Sequence, residues 1–450
     1  MNRILIIGAN AAGLSSAVNA RKEDPKSKIT IISKEPYNPY RRPAIPSIIT
    51  GEISGLEEAT IFPPDYLHQR GIDFIPGVEV VRFDLGSKSA ETKNIKSNET
   101  KKIEYDSLVF CTGGYPMIPK MKGTDKKGVC TFTTYDNTME IVNIARPGLS
   151  AVVVGAGFVG LEIAEALMKK GLKVYFNVRS RILRRLLEPD FSDYLNGCFE
   201  QEGLKMLTGE AIIEIGGNDK VEHVVMRGEK IETSLVIFGT GVKPNVDIAR
   251  NAGIKLGESG AIKVDGRMQT SGKDVYSAGD CAESLDLLTG QYTYSPVGSI
   301  AALAGRLAGV NAAGGNQQTH GFMRCQVDKL LGQQIISIGH SSTTAKEINL
   351  EIKIRDLNEL QKLTLSRKYP VKIKIITDTA DRIVGAQVIT KKYGSQYSYE
   401  LRNAILENKS FNEFIKEWKP PLEKVVGFIR DKKEASLVGK DIKDIGLVKY

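Results

Sequence analysis

Cysteine is scarce in this chain, and its spacing excludes several classes of protein. The 450 residues include five cysteines, and no two of them form a C-x-x-C pair. An odd number of widely spaced thiols does not make a secreted disulfide scaffold, and the missing pair excludes thioredoxin-type sites and zinc ribbons. We therefore expect a cytoplasmic protein whose cysteines are reduced.

Metal-ligand patterns, membrane spans and dense positive charge are lacking as well. The four histidines show no ligand spacing relative to one another, so we expect no structural metal. The longest apolar stretch, residues 151–168, is interrupted by Glu162 and Glu165, which indicates a buried strand and helix and no membrane span. The net charge of +9 is spread thinly, so nucleic acid is not needed to explain it.

A strand–turn–helix–strand pattern occurs twice, at residues 3–33 and 150–178. Each copy is followed by an apolar strand that ends in small residues, at 103–110 and 235–238. Such alternation predicts an α/β fold with two Rossmann-like dinucleotide-binding domains, whose parallel sheets are covered by helices. From about residue 322 alternating strands and a helix near 399–407 predict a C-terminal α+β domain.

The glycine-rich turn of each copy leads a strand into a helix, where backbone N–H groups and the helix dipole bind pyrophosphate. The first turn contains Gly8, Asn10, Ala11, Ala12 and Gly13, and the second contains Gly155, Gly157, Phe158, Val159 and Gly160. The second matches the full dinucleotide pattern. In the first, the side chain of Asn10 replaces the middle glycine and crowds the approach, so an ordinary turn is an alternative there.

The residues after the second strand of each copy predict how a nucleotide ribose is bound. Glu35 follows the first pair of strands, and its carboxylate can accept hydrogen bonds from ribose hydroxyls. The second pair is followed by Arg179 and Arg181 and by no carboxylate. Two guanidinium groups suit a 2′-phosphate, which favours NADPH over NADH; the alternative is that these arginines merely face solvent.

Five segments together resemble those of one known family. They are Gly8-x-Asn10-x-x-Gly13, Thr112-Gly113-Gly114, Gly155-x-Gly157-x-x-Gly160-x-Glu162, the run from Gly239 to Asn245, and the run from Thr270 to Asp280. Over nearly its whole length the chain resembles the FAD-dependent pyridine nucleotide–disulfide oxidoreductases. The resemblance implies an FAD-binding domain (residues 1–112 and 243–320), an NAD(P)H-binding domain (113–242) and a C-terminal dimerisation domain (321–450).

The resemblance also implies roles for individual residues. Asp280 would bind the flavin ribityl chain, Phe158 would cover the flavin ring until nicotinamide displaces it, and Glu162 would orient the nicotinamide carboxamide. Further cofactor contacts are implied for Val80, Thr112, Gly113, Gly241, Gly279, Pro296 and Val297.

One segment departs from the family pattern. The C-terminal part resembles that of coenzyme A disulfide reductases and NADH oxidases, which keep a redox cysteine some three residues before a proline. Matching Pro46 to that proline puts Pro43 at the cysteine position, and no cysteine precedes Cys111. The sequence therefore predicts a site without a thiolate nucleophile.

The same segment also resembles ferredoxin- and rubredoxin-reductases, through the run from Pro39 to Pro43. Ser47 stands nearest to the lysine of their pattern, and Arg42 would either lie near the FAD or hold the loop. In the C-terminal part, Trp418 precedes Pro420 and Pro421, a segment that in relatives approaches the partner subunit's active site. The alternative for Trp418 is a core aromatic anchor.

Three hypotheses for the function remain. The first is an FAD-dependent, homodimeric NAD(P)H oxidoreductase in which hydride passes to the flavin and electrons then pass directly to an acceptor such as oxygen. The second is electron transfer to a ferredoxin- or rubredoxin-like partner. The third is a non-catalytic flavin-binding protein.

Overall fold

The structure, a computed structural model, describes residues 1–63, 65–357 and 371–418. The chain divides into two units. The first unit comprises Met1–Arg184 and Ser192–Arg324, and the second comprises Arg185–Phe191 and the described residues from Cys325 onward.

The first unit contains two parallel sheets with covering helices and small antiparallel additions. Its strands are β1 (Arg3–Ile7), β2 (Lys28–Ser33), β3 (Ile72–Pro76), β4 (Val78–Asp84), β5 (Ser89–Asn94), β6 (Thr100–Glu104), β7 (Ser107–Phe110), β8 (Gly114–Pro116), β9 (Val129–Thr131), β10 (Ser150–Val154), β11 (Lys173–Val178), β12 (Lys205–Thr208), β13 (Glu214–Gly216), β14 (His223–Met226), β15 (Glu229–Glu232), β16 (Leu235–Phe238), β17 (Val242–Pro244), β18 (Val275–Ser277), β19 (Ser284–Leu285) and β20 (Tyr292–Thr293). Its helices are α1 (Ala11–Glu23), α2 (Ile45–Thr50), α3 (Leu56–Ala59), α4 (Tyr135–Ile144), α5 (Phe158–Lys169), α6 (Pro189–Gln201, which begins in the second unit), α7 (Asp247–Asn251) and α8 (Gly298–Ala312).

The two parallel sheets have the same strand order. One runs β18-β7-β1-β2-β3, and the other runs β9-β16-β10-β11-β12. Their central strands, β1 and β10, are apolar and buried, as strands covered on both faces must be. The predicted α/β class with two Rossmann-like domains is therefore confirmed.

The prediction of a single strand at 103–110 is wrong in one respect, because the structure divides this segment between two strands. β6 ends at Glu104 and β7 begins at Ser107. Between them Tyr105 turns into the core, with 1% of its surface exposed. Asp106 accepts hydrogen bonds from the backbone and side chain of Arg3, which fixes the bend between the two strands.

Helix α8 packs closely on α1, which carries the first glycine-rich turn. A Cβ on Gly305 would lie 2.2 Å from the carbonyl oxygen of Ala12, and one on Gly309 would lie 2.1 Å from that of Ser16. Because only hydrogen fits at these two positions, the backbones of α1 and α8 touch. This contact fixes the N-terminal half of α8 beside the turn.

The second unit is an antiparallel sheet with helices. Its elements are β21 (Cys325–Leu330), β22 (Gln333–Gly339), β23 (Lys353–Asp356), β24 (Val371–Thr377), β25 (Ile383–Thr390), α9 (Ser342–Glu347), α10 (Gly394–Leu406) and α11 (Phe411–Glu417), and its strand order is β21-β22-β25-β24-β23. The helix predicted near 399–407 begins earlier, since the N–H of Gly394 donates to Gln334 Oε1 at 2.6 Å and anchors its start.

Trp418 ends α11. Its indole Nε1 donates to Glu400 Oε2 at 3.1 Å, and its ring lies 5.7 Å from that of Phe414. Pro420 and Pro421 lie outside the described residues. In the part of the chain that the structure describes, no helix has the length and apolar character that crossing a bilayer requires.

Candidate cofactor site

The first glycine-rich turn is held tightly against the neighbouring strand. Gly8 has a φ of +105°, and a Cβ there would lie 2.1 Å from the carbonyl oxygen of Cys111. Asn10 is extended and caps α1, with its Oδ1 accepting from the N–H of Ala11 at 3.0 Å. The next amides, of Ala12 and Gly13, begin the helix and have no intrahelical partner, so the turn keeps N–H groups for an anion.

The second turn has the same close packing but an open middle position. A Cβ on Gly155 would lie 2.2 Å from the carbonyl oxygen of Gly239, whereas no described atom lies within 4 Å of the corresponding position on Gly157. No described side chain caps α5. At the same helix start Phe158 is half-buried and Val159 is 47% exposed. Backbone N–H groups can therefore meet a dinucleotide pyrophosphate here without obstruction.

Asp280 is a carboxylate that has lost much of its contact with water without gaining a donor among the described residues. Burial alone raises its pKa from 3.8 to about 6. The preceding Gly279 has a φ of +84°, and a Cβ there would lie 2.9 Å from that of Ala12. Asp280 is therefore held beside the start of α1, where hydroxyl groups of a bound cofactor fit its acceptor oxygens.

Glu35 and Arg42, which the sequence assigned to cofactor binding, lie together. Arg42 forms an ion pair with Glu35 Oε1 and also donates to the carbonyl oxygen of Thr133. Tyr40 donates to Glu35 Oε2 at 2.6 Å and accepts from the N–H of Tyr135 at 2.9 Å. Arg42 thus both holds its loop and stands beside the predicted ribose carboxylate, so the two alternatives for it are compatible.

Pro43 and Ser47 belong to a short helical segment beside the second turn's helix. Pro43 is exposed within the 3₁₀ turn Arg42–Ala44, and the Oγ of Ser47 donates to Glu52 Oε2 at 3.3 Å. Helix α2 packs against α4 and α5. Lys170, at the end of α5, donates to the carbonyl oxygen of Ile49 at 3.0 Å. The segment that would carry the family's cysteine is thus fixed to the helix that carries half-buried Glu162.

The end of β11 leaves arginines near the second turn. Asn177 is buried, and its Nδ2 donates to the carbonyl oxygen of Glu210 at 2.9 Å, which ties the end of β11 to the segment after β12. Arg179 is exposed, whereas Arg181 donates to Ser192 Oγ at 3.1 Å. Of the two predicted arginines, Arg179 is the one that projects into solvent.

The chain passes twice from one parallel sheet to the other, and the two connecting segments are bonded to each other. β8 pairs with β17, and Thr112 Oγ1 donates to the carbonyl oxygen of Asn245 at 2.5 Å. Gly113 and Gly241 have φ values of +68° and +100°. This pairing fixes the second parallel sheet relative to the first.

The other predicted cofactor contacts are dispersed over the first unit. Val80 is buried in β4 at a shift of register with β5, Val297 occupies the N-cap position of α8 without a side-chain hydrogen bond, and Pro296 beside it is exposed. Sequence reasoning missed Tyr40, Thr133 and Tyr294, the last a tyrosine whose buried hydroxyl has no hydrogen-bond partner among the described residues. Tyr40 could have been found from sequence, because it lies in the Pro39–Pro43 run that carries the resemblance to ferredoxin- and rubredoxin-reductases. Thr133 contributes only its backbone carbonyl, which a sequence pattern does not reveal.

The five cysteines are all free. Cys111 and Cys281 are buried beneath the first turn, and Cys130 is buried in β9. Burial raises the pKa of Cys111, and burial together with Glu140 raises that of Cys130 to about 12. These two thiols remain protonated at neutral pH and are poor nucleophiles. Among the described residues, no cluster of three or more His, Cys, Asp or Glu could hold a metal ion.

Comparisons with known proteins agree with this geometry. The family model described as pyridine nucleotide-disulphide oxidoreductase matches residues 2–299. An NADH oxidase from Methanocaldococcus jannaschii is 35% identical over 396 residues, 86% of this chain and 87% of that one. A CoA-dependent NAD(P)H sulfur oxidoreductase from Pyrococcus abyssi is 31% identical over 86% of each chain. A solved NAD-dependent persulfide reductase from A. fulgidus superposes with a TM-score of 0.86 at 25% identity, covering 96% of this chain and 84% of that one.

The open second turn, the unpartnered Asp280 and the paired parallel sheets fit two dinucleotides, and the family match agrees with them. The hypothesis of a non-catalytic flavin-binding protein is therefore not carried further. The chain belongs to the pyridine nucleotide–disulphide oxidoreductase family and is an FAD-dependent NAD(P)H oxidoreductase.

Proposed function

We propose that this enzyme oxidises NADPH and delivers the electrons directly from FAD to an acceptor such as oxygen, without a cysteine step. The observation that carries the proposal is that no cysteine precedes Cys111 in the chain, and the resemblance puts Pro43 where the family has its cysteine. Burial raises the pKa of three thiols, those of Cys111, Cys130 and Cys325, so these three are poor substitutes for a redox cysteine. The similarity to an NADH oxidase supports oxygen as acceptor.

The chain's own residues bind and orient the two dinucleotides. Gly8, Asn10 and Gly13 shape the turn for FAD, and Glu35 and Asp280 accept hydrogen bonds from its hydroxyls. FAD, when bound, supplies the hydride-accepting and electron-transferring chemistry. The role of the protein is to hold the nicotinamide and the flavin in the orientation that hydride transfer requires.

On the NADPH side, the open position at Gly157 admits the pyrophosphate, and Arg179 binds the 2′-phosphate. Glu162 orients the carboxamide, and Phe158, half-buried at the start of α5, covers the ring site until the nicotinamide arrives. The hydrogen bond between Thr112 and Asn245 joins the two connecting segments and holds the NADPH turn at a set distance from the FAD turn.

A second candidate acceptor is an acidic redox protein of the ferredoxin or rubredoxin kind. The net charge of +9 and the Pro39–Pro43 run favour it. Further parts of the proposal are a cytoplasmic homodimer, the domain bounds given above, and dimerisation through residues 321–450. The five free thiols support a reducing compartment.

The test is anaerobic reduction with NADPH followed by mixing with a panel of acceptors. We expect NADPH to bleach the flavin's visible absorption, and oxygen to restore it at least as fast as steady-state turnover. A matched sample treated with a thiol-blocking reagent should behave identically. Flavin colour that returns only with persulfide or coenzyme A disulfide would contradict oxygen as acceptor, and return only with a small redox protein would favour the second candidate. A purified protein that binds no FAD would refute the whole scheme.

A further inference from the structure

Tyr294, which follows β20, carries a phenol that the protein itself does not satisfy. Its Oη is shielded from solvent, and none of the described residues gives it a hydrogen-bond partner. A buried hydroxyl without a partner lowers the stability of the fold, and native proteins contain few of them. Such a group beside a cofactor site indicates that the ligand supplies the missing partner.

The position of Tyr294 places its hydroxyl among the FAD-binding elements. A Cβ built on Gly114 would lie 3.5 Å from Tyr294 Oη, and Gly114 directly follows Thr112 and Gly113. Burial, and then the negative charge of Asp280, raise the pKa of Tyr294. The phenol therefore stays protonated at neutral pH and is available as a donor near that carboxylate.

Tyr294 and Asp280 have complementary needs. The phenol has a proton to donate, and the carboxylate of Asp280 has acceptor oxygens that no described donor fills. A hydroxyl group can donate to a carboxylate through its proton while its oxygen accepts from a phenol. The polyol chain of FAD carries such hydroxyls.

We propose that Tyr294 is a flavin-binding residue that donates its phenol proton to a hydroxyl of the FAD polyol chain, the same chain that Asp280 binds. The inference rests on the role of Asp280 in the proposed function. Tyr294 holds the cofactor from the side of the β8–β17 pair, while Asp280 holds it from the start of α1. The residue positions the cofactor and takes no part in electron transfer.

The experiment compares Tyr294→Phe with Tyr292→Phe, a control in the adjoining strand whose side chain is 41% exposed. Apoprotein is titrated with FAD by fluorescence quenching, and melting temperatures are recorded with and without FAD. We expect Tyr294→Phe to weaken FAD binding by roughly 3- to 10-fold, the effect of one hydrogen bond. Its apoprotein should melt no lower than wild type, since the substitution removes an unpaired buried hydroxyl, and Tyr292→Phe should match wild type in both measurements.

A double-mutant cycle with Asp280→Asn tests whether both residues act on one chain of hydroxyls. We expect the double variant to lose less affinity than the product of the two single losses, because the second change disturbs a contact already weakened. Wild-type FAD affinity in Tyr294→Phe, or equal losses of melting temperature with and without FAD, would overturn the inference and leave the proposed function standing. Unchanged affinity in Asp280→Asn would instead refute the assigned role of Asp280.

Discussion

Asp280 allows a test of whether a buried carboxylate that is suited to cofactor binding lowers the stability of the FAD-free protein. Replacing it with asparagine keeps the shape of the side chain and removes the charge. Burial raises the pKa of Asp280 from 3.8 to about 6, and no described donor offsets it. At about 1.4 kcal/mol per pH unit, that difference corresponds to about 3 kcal/mol.

The sign of the effect follows from proton linkage. Because the pKa is higher in the folded apoprotein than in the unfolded chain, folding takes up a proton between about pH 4 and pH 6. Wild-type stability therefore falls as the pH rises through this window and stays lowered above it. Asp280→Asn cannot ionise, so its apoprotein should be more stable than wild type by up to about 3 kcal/mol at pH 7.5 and by only about 1 kcal/mol at pH 4.5.

The assay is the melting temperature of FAD-free protein at several pH values between 4.5 and 8. Asp106→Asn is a control of opposite sign, because hydrogen bonds from Arg3 lower the pKa of Asp106 to about 2. That variant should be less stable than wild type at neutral pH. The reasoning about Asp280 is refuted if the difference between Asp280→Asn and wild type does not change with pH, or if the variant is the less stable protein at pH 7.5.

Three further predictions concern the NADPH side and the thiols. Gly155→Ala should lower the stability of the protein by several kcal/mol, because its Cβ meets a backbone carbonyl. Gly157→Ala should melt like wild type and raise only the KM for NADPH. Thermal melts and steady-state kinetics distinguish the two variants. Arg179→Gln should raise the KM for NADPH about 10-fold or more and leave that for NADH unchanged, so equal changes for both would contradict a 2′-phosphate contact. Cys111→Ala combined with Cys281→Ala should keep wild-type turnover per bound FAD, and loss of turnover with full flavin content would revive a thiol mechanism.

The repeated architecture was predictable because its signals are local. A buried apolar strand, a turn of small residues and a helix lie within thirty residues of one another, and both copies fold as their patterns indicate. The division of the strand near Tyr105 was not predictable. It depends on Asp106 meeting Arg3, about a hundred residues away in the chain, and a local apolar pattern carries no trace of that pair.

The same limit applies to the candidate site. Glu35 and Arg42 were each identified from their neighbourhood in sequence, but their ion pair and the bonds from Tyr40 and to Thr133 depend on how two distant segments meet. Tyr294 belongs to no motif. Its buried hydroxyl has no partner among the described residues, and this can be recognised only when the positions of all neighbouring atoms are known.

The two turns share a strand order but differ at their middle residue, and the difference suits two kinds of ligand. Asn10 uses its side chain to cap α1, while the touching backbones of α8 and the close approach of Gly279 enclose the first turn. At the second turn Gly157 faces open space and Val159 is half exposed. A cofactor that remains bound through many turnovers needs enclosure, and a substrate that must leave after each hydride transfer needs an open edge. In the proposed function, one fold used twice thus provides a resident site and an exchange site, which differ by one side chain and the placement of one helix.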